Sequence, residues 1–486
     1  MSNPLQIGWS EADITPVTDK KIPLYGQYYQ RIAKGIHSRL KTVALAIESG
    51  GEQALMASVD LVGFQEYFQE TVRDAVAALE PAIDRNKIFL NAIHTHSGPS
   101  VNRVGLSVVG RDDYHDSDAL TPEEYIDFCV PVIAENLANA WRNRKPAGIV
   151  RAFGSARIGH CRRAVYRNGT AEMYGDTTRE DFIGMEAGED SGVEMFFTVD
   201  PAGRKTGMLL NVACPSQAME STYLVSSDFA GAAREQLKKA YGNDFHTLYQ
   251  ISPAGCQSPR DLVRHYAGTE PDCWHADGVD FLAKRLLEAV RGAQETPADY
   301  HPVLKHLTRR ITLPRRRATY PMYLAAQAEI KRLEAIQPEN PAFEAFCAET
   351  HANEKIDGHG PYDSKLHHFV LIKNAQAVVE RYKIQDAEPT MSFNLNAVRI
   401  GDAVVVNSPF ELYLYYGQII KARSRAAQTF LVQLSGGADH PAGYLPSPEA
   451  ERFGGYGGLI INGQVGSDGG YMLADETVNI IGELFE

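Results

Sequence analysis

Ile88-Phe89-Leu90-Asn91-Ala92-Ile93-His94-Thr95-His96-Ser97-Gly98-Pro99 decides the reading of this chain. Ile88 to Ile93 has the length and apolar content of a buried strand, and Gly98-Pro99 ends it. In a strand, residues i and i+2 share a face. His94 and His96 can therefore look into one pocket at a strand's end, where α/β proteins often place their chemistry. Imidazole is a common zinc ligand, so a metal site is the first reading. A lone His-x-His is more often a packed pair with satisfied hydrogen bonds. The continuation lacks the Asp-His of a binuclear His-x-His-x-Asp-His site, and no His-Glu-x-x-His, Gly-x-Ser-x-Gly, Walker loop or Gly-x-Gly-x-x-Gly turn occurs.

Outward from that run, Thr42 to Ile47 and Gln53 to Val59 read as a hairpin through Ser49-Gly50-Gly51. Phe64 to Leu79 and Thr121 to Trp141 have helical spacing, the latter with Thr121 and Glu124 as a capping box. Ile149–158, 193–199 and 207–212 read as strands, and 171–191 as a long acidic surface loop. Residues 228–240 and 279–291 look helical, and 307–313 returns to strand. From about 321 to 382 the chain is mostly helical and charged, with a break at Gly358-His359-Gly360-Pro361. Gly401-Asp402 joins 396–400 to 403–406 as a hairpin, and a helix closes the chain from Leu473. The expected fold class is α/β, a mixed, largely antiparallel sheet core covered by helices. One large domain over 1–486 with a helical elaboration at 321–382 is the expected organisation.

The chain has 486 residues, 44% hydrophobic and 22% charged, as in an ordinary globular enzyme. Its net charge of −13 argues against nucleic acid or an anionic membrane as the main partner. No apolar run is long enough to span a membrane, and Met1-Ser2-Asn3-Pro4 lacks a secretory signal, so the expected address is the cytoplasm. Six dispersed cysteines without a Cys-x-x-Cys pair read as reduced thiols. A homo-oligomer stays open.

Four further segments place polar groups among glycines and prolines, where loops carry chemistry. They are Ala213-Cys214-Pro215-Ser216, Pro409-Phe410-Glu411, the loops holding Tyr444 and Tyr456, and Gly255-Cys256-Gln257-Ser258-Pro259. Arg162-Arg163 adds donors suited to a carbonyl, carboxylate or oxyanion. Taken singly, each has a bland alternative: a small core cysteine, a helix-start glutamate, surface tyrosines.

Together they resemble the catalytic domain of the neutral, non-lysosomal ceramidase family. His94-Thr95-His96-Ser97-Gly98-Pro99 is similar to that family's zinc motif, and Asp13-Ile14-Thr15-Pro16 with Gly35-Ile36-His37-Ser38-Arg39-Leu40 to its N-terminal signature. Val225-Ser226-Ser227-Asp228-Phe229-Ala230-Gly231 resembles the segment after its second ligand, and Gly255-Cys256-Gln257-Ser258-Pro259 its Gly-Asp-Val-Ser-Pro turn. The resemblance implies zinc ligands at His94, Glu411 and Tyr444, with Cys214 where the family has a second histidine. It implies His96, Arg162, Ser258 and Tyr456 as residues acting on substrate. One zinc per chain would then activate a water to cleave a non-peptide amide bond. Cys214 as fourth ligand, loss of tight zinc, or another recruited ligand are all open. The chain stops without that family's immunoglobulin-like domain, so the expected substrate is a small or polar molecule rather than membrane ceramide. A second reading is a lyase or hydrolase of a carbohydrate-type substrate that uses His96, Tyr444 or Tyr456 as acid and base. A third is a binding protein with a degenerate site. His37 reads as a packed turn residue, Asp60 as a helix cap or a support for the site, His367-His368 as solvent-facing, and Asp112-Asp113 with Asp116 and Asp118 as a solvated acidic loop.

Overall fold

Ile88–Ala92 is fully buried and pairs in parallel with Glu52–Val59, which continues antiparallel through Lys41–Ser49 to Gln6–Asp13. The computed structural model describes residues 4–26, 31–102, 118–353 and 366–486. Asp112, Asp113, Asp116 and the Gly358–Pro361 break lie outside the described residues.

Three sheets carry the chain. The first has the order Ile88–Ala92, Glu52–Val59, Lys41–Ser49, Gln6–Asp13, Lys145–Pro146. The second runs His246–Ile251, Lys205–Val212, Gly192–Val199, Gly148–Ser155, Gln294–Glu295. The third runs Leu304–Pro314, Thr390–Ile400, Ala403–Asn407, Gln428–Val432. Most neighbours are antiparallel, and each sheet holds one parallel pair. The mixed, largely antiparallel architecture with helical cover is therefore the fold.

Alternation along these strands explains their assembly. One face of each sheet meets the other two in a common core, where Trp9, Phe89, Phe196, Leu248, Val405 and Phe430 pack together. The opposite faces carry helices: Glu66–Leu79 and Pro122–Arg142 on the first sheet, Asp228–Tyr241 and His275–Arg291 on the second, Ser467–Leu484 on the third. A sheet buried on both faces reads as a continuous apolar run, which is why Ile88 to Ile93 shows no alternation. Burying each large side chain in the shared core contributes about 1.5–3 kcal/mol. Ile88–Ala92 ends its sheet, yet its outer edge is covered. Ala92 N donates to Leu434 O at 3.1 Å, and Asn91 Nδ2 donates to Tyr249 O at 3.0 Å. That cover brings the second and third sheets against the strand that delivers His94.

Local signals were mostly obeyed. Thr121 Oγ1 accepts from Glu124 N, and Glu124 Oε2 accepts from Thr121 N, completing the capping box. Gly401 takes φ +63° in the hairpin between Thr390–Ile400 and Ala403–Asn407. Tyr320–Ile336, Glu339–Asn353 and His368–Ile384 form the helical elaboration.

Three expectations are corrected. Residues 171–191 are not one loop: Ala171–Met173 and Phe182–Met185 flank Arg163–Tyr166 in a small antiparallel sheet. Asp60 caps no helix; it forms a buried ion pair with Arg234 and accepts from Lys41 N at 2.8 Å. His368 does not face solvent, because its Nε2 meets Leu333 O at 2.9 Å and ties the elaboration's helices together.

Candidate active site

His94 lies two residues beyond Ile88–Ala92 and takes a left-handed backbone, φ +62°. Such a conformation costs a non-glycine residue on the order of 1–3 kcal/mol and concentrates at functional sites. It turns the imidazole so that Nδ1 faces the Val62 carbonyl. A carbonyl only accepts, so Nδ1 carries the hydrogen and Nε2 presents a lone pair. That Nε2 is 3.6 Å from Glu411 Oε2 and 3.2 Å from His96 Nε2. Burial, followed by neighbouring His96, holds the His94 pKa well below the ordinary histidine value, so it is neutral.

Glu411 and Tyr444 are direct register partners on two short parallel strands, Glu411–Leu412 and Tyr444–Leu445. Their side chains therefore project together, and the Tyr444 hydroxyl hydrogen-bonds the carboxylate. Burial raises the Glu411 pKa, while the Arg162 guanidinium opposes the rise.

Arg162 is fully buried between His160–Cys161 and Arg163–Tyr166. Its backbone N donates to Cys256 O, beside the pairing of His160–Cys161 with Gln257–Ser258. Nη2 donates to Gly255 O at 3.0 Å, Tyr444 Oη at 3.3 Å and Glu411 Oε2 at 3.5 Å. Nη1 faces Gln217 Oε1 at 3.4 Å and Tyr174 Oη at 3.5 Å. Gly255 makes this approach possible, since a Cβ there would fall 2.4 Å from Glu411 O.

His96 is buried and packs edge-on against His94, with ring centroids 4.7 Å apart. Its Nδ1 is 3.0 Å from Glu220 Oε2. The contact is off line for a full hydrogen bond, so in this rotamer the two atoms meet by proximity alone. Tyr456 lays its ring perpendicular to that of Tyr444, with centroids 5.6 Å apart. Its loop is held by Arg163, which donates to Tyr456 O and pairs with buried Glu186 at 2.7 Å. Ser258 joins the group through Tyr174, whose hydroxyl oxygen accepts from Ser258 Oγ at 3.2 Å.

Of the residues singled out in the sequence, His94, His96, Arg162, Glu411, Tyr444, Tyr456 and Ser258 thus gather in one place. Cys214 does not join them. Its N donates to Val212 O in a tight turn after Lys205–Val212, which aims Sγ at the Ile158 and Pro215 carbonyls, each 3.5 Å away. The thiol packs in the apolar core of the second sheet, and burial pushes its pKa well above the usual thiol value. A thiolate is the form that binds metal, so this environment disfavours ligation.

Three residues that the sequence reading passed over complete the group: Tyr174, Gln217 and Glu220. Tyr174 falls in the stretch taken as surface loop. Glu220 carried a usable signal, because it is the single charged residue between Lys205 and Asp228, yet it is fully buried. Buried carboxylates are rare unless paired, and usually have a function.

A metal centre was tested against these donors. With bonds of about 2.0–2.2 Å, ligand atoms on a tetrahedral zinc lie about 3.4 Å apart. The His94 Nε2 to Glu411 Oε2 separation of 3.6 Å fits one such edge, and the Tyr444 hydroxyl bonds that same carboxylate. Val62 O supplies the outer hydrogen bond that commonly orients a metal-binding histidine. Among the described residues, no group of three or more His, Cys, Asp or Glu side chains is placed to hold a metal ion. A centre here therefore depends on tyrosine as its third donor. Three protein ligands with an open position are the pattern of catalytic rather than structural zinc.

Comparison with known proteins bears on the fold. No family model matches the chain. A neutral ceramidase of Pseudomonas aeruginosa is 26% identical over 239 residues, which cover 47% of this chain. The match spans about a third (33%) of that relative's length. A solved structure of a ceramidase complexed with C2 superposes with a TM-score of 0.67 at 16% identity, covering 99% of this chain and 75% of the other. The crystal structure of neutral ceramidase from P. aeruginosa gives 0.64 at 18% identity with the same coverage. No helix among the described residues is long and apolar enough to cross a membrane.

Proposed function

We propose that this chain, related to neutral ceramidase by sequence over part of its length and by fold over nearly all of it, hydrolyses a non-peptide amide bond in a small or polar molecule. The observation that carries the reading is the convergence of the His94 Nε2 lone pair, the Glu411 carboxylate, the Tyr444 hydroxyl, His96 and Arg162. Zinc, held by His94, Glu411 and Tyr444, would supply Lewis acidity and make a nearby water acidic near neutral pH.

The chain's own residues do the rest. Arg162 opposes the rise that burial gives the Glu411 pKa and donates to the Tyr444 hydroxyl. His96 Nε2 takes a proton from the attacking water as the oxygen–carbon bond forms. It returns that proton to the leaving nitrogen as the carbon–nitrogen bond breaks, giving an acid and an amine. Arg162 and Tyr456 offer donors to the acyl oxygen, each contributing about 2–4 kcal/mol in the transition state. The surroundings support a polar substrate: Arg162, Tyr174, Gln217, Glu220 and Ser258 are all buried polar groups at this place.

The test is a panel of N-acyl amines, from short-chain N-acyl amino sugars to long-chain ceramide in detergent micelles. Free primary amine is measured by fluorescence derivatisation. Amine released with an equal amount of acid, and lost in His94→Ala, supports the proposal. A new unsaturated chromophore without amine supports the lyase reading instead, and turnover of long-chain ceramide alone overturns the polar-substrate assignment.

A further inference from the structure

We infer that Glu220 is the positioning residue for His96: its carboxylate fixes the ring so that Nδ1 carries a hydrogen and Nε2 faces the reaction. The inference rests on the proposed hydrolysis for its catalytic consequence, though not for its spectroscopic one.

Glu220 is buried with no exposed surface, and its two oxygens are shared among three partners. Oε1 accepts from the Tyr174 hydroxyl at 3.0 Å. Oε2 accepts from Gln217 Nε2 at 2.9 Å and lies 3.0 Å from His96 Nδ1. Gln217 Nε2 also donates to Tyr174 Oη at 2.8 Å, and that oxygen accepts from the Ser258 hydroxyl at 3.2 Å. A buried carboxylate left alone is costly; one that accepts from an amide and a phenol is held in place.

Among the described residues the arrangement bears on His96. Gln217 and Tyr174 have both turned donors toward Glu220, so the carboxylate can act toward the imidazole only as an acceptor. That selects hydrogen on Nδ1. The opposite nitrogen, Nε2, then presents a lone pair 3.2 Å from that of His94 Nε2, on the side where Glu411 also sits, an arrangement that a cation or a proton between the two nitrogens relieves. No bond to Glu220 forms or breaks. The off-line geometry of the present contact closes by a small ring rotation, as catalytic hydrogen bonds commonly tighten on binding substrate. Ser258, which the family resemblance placed among the groups acting on substrate, is here a support for Tyr174, and through it for Glu220.

The experiment uses full-length protein labelled with 15N-histidine, with the His96 signals assigned by their loss in His96→Gln. In wild type, Nδ1 of His96 should show the pyrrole-like shift of a protonated nitrogen. Glu220→Gln replaces one acceptor oxygen by a donor, so that signal should be lost or split. Glu220→Asp keeps a carboxylate and should keep it. Against the best amide from the panel, Glu220→Gln should lower kcat roughly 10- to 100-fold, the range seen when a partner orienting a functional histidine is removed. KM should stay within about twofold, because Glu220 faces His96 rather than substrate, and Glu220→Asp should recover part of the loss. A pyridine-like, unprotonated Nδ1 in wild type overturns the inference. So does a Glu220→Gln variant with the wild-type spectrum and kcat. Should Glu220→Gln fail to fold, the wild-type and Glu220→Asp spectra decide. Should no amide be turned over, the hydrolase reading fails and the tautomer still stands or falls alone.

Discussion

Gly26→Ala isolates the placement of His96 from every other effect in the molecule. Gly26 has φ +111°, and a Cβ built there would lie 2.5 Å from both Cγ and Nδ1 of His96 and 3.0 Å from its Cβ. Ordinary contact begins near 3.4 Å, so the ring must retreat by about 1 Å. A displacement of that size commonly costs about 100-fold in rate, equal to about 2.7 kcal/mol. Alanine at positive φ adds strain of about 1–2 kcal/mol to the fold itself. Gly242 supplies the control, with φ +118° and nothing within 4 Å of the added Cβ. Gly242→Ala carries the same kind of strain with no contact to His96. Initial rates of amide hydrolysis and melting temperatures should be measured for both variants. Both should melt lower by a few degrees, whereas Gly26→Ala alone should lose about two orders of magnitude in kcat. Equal rates in the two variants would refute the reasoning, because His96 would then be either elsewhere or dispensable.

Other outcomes follow from the same geometry. Cys214→Ser should leave zinc content unchanged by elemental analysis and cost about 1 kcal/mol in urea unfolding, since the thiol meets only carbonyls and apolar core. Cobalt-loaded wild type should likewise show no thiolate charge-transfer band. In metal-free protein Arg162→Met should destabilise by about 3–5 kcal/mol in the same assay, because it removes a fully buried guanidinium and leaves the mostly buried Glu411 carboxylate without its cation. Glu11 gives a pH dependence: burial tends to raise its pKa, but hydrogen bonds from Lys238 and Lys41 outweigh this and bring it down to about 2. A depressed folded-state pKa contributes stability above the ordinary value of 4.5, and that contribution is lost as pH falls toward 2. Glu11→Gln should therefore remove about 3 kcal/mol at neutral pH and flatten the acid limb of the unfolding curve between those values. An unchanged limb would show that the Lys–Glu–Lys cluster is solvated.

The strand that ends at His94 was legible because both of its faces are buried, so nothing interrupts the apolar run. The capping box at Thr121 and the Gly401-Asp402 hairpin were legible because each depends on residues within four positions. Glu411 and Tyr444 were harder: they lie 33 residues apart in the chain and meet only through two-residue strands paired in parallel. Motif order found them; periodicity had no means to. Cys214 was misplaced for a conformational reason. Its position one residue beyond Ala213 suggests a strand-end side chain facing the pocket, but the turn back to Val212 O rotates the thiol into the core. The sheet at 163–185 was missed because Ala171–Met173 and Phe182–Met185 are too short to show alternation. Glu220 was passed over because burial of a single charge is a tertiary fact, visible in sequence only as a lone acid in an otherwise uncharged stretch.

An anomalous-difference map collected at the zinc edge, from crystals of the protein as purified, tests the hydrolytic centre most directly. The account predicts one peak per chain, within about 2.0–2.2 Å of His94 Nε2, a Glu411 oxygen and Tyr444 Oη, with Cys214 Sγ still turned toward Ile158 O. A peak bonded to Cys214, or a zinc-replete protein whose only peak lies away from His94 and Glu411, would contradict it.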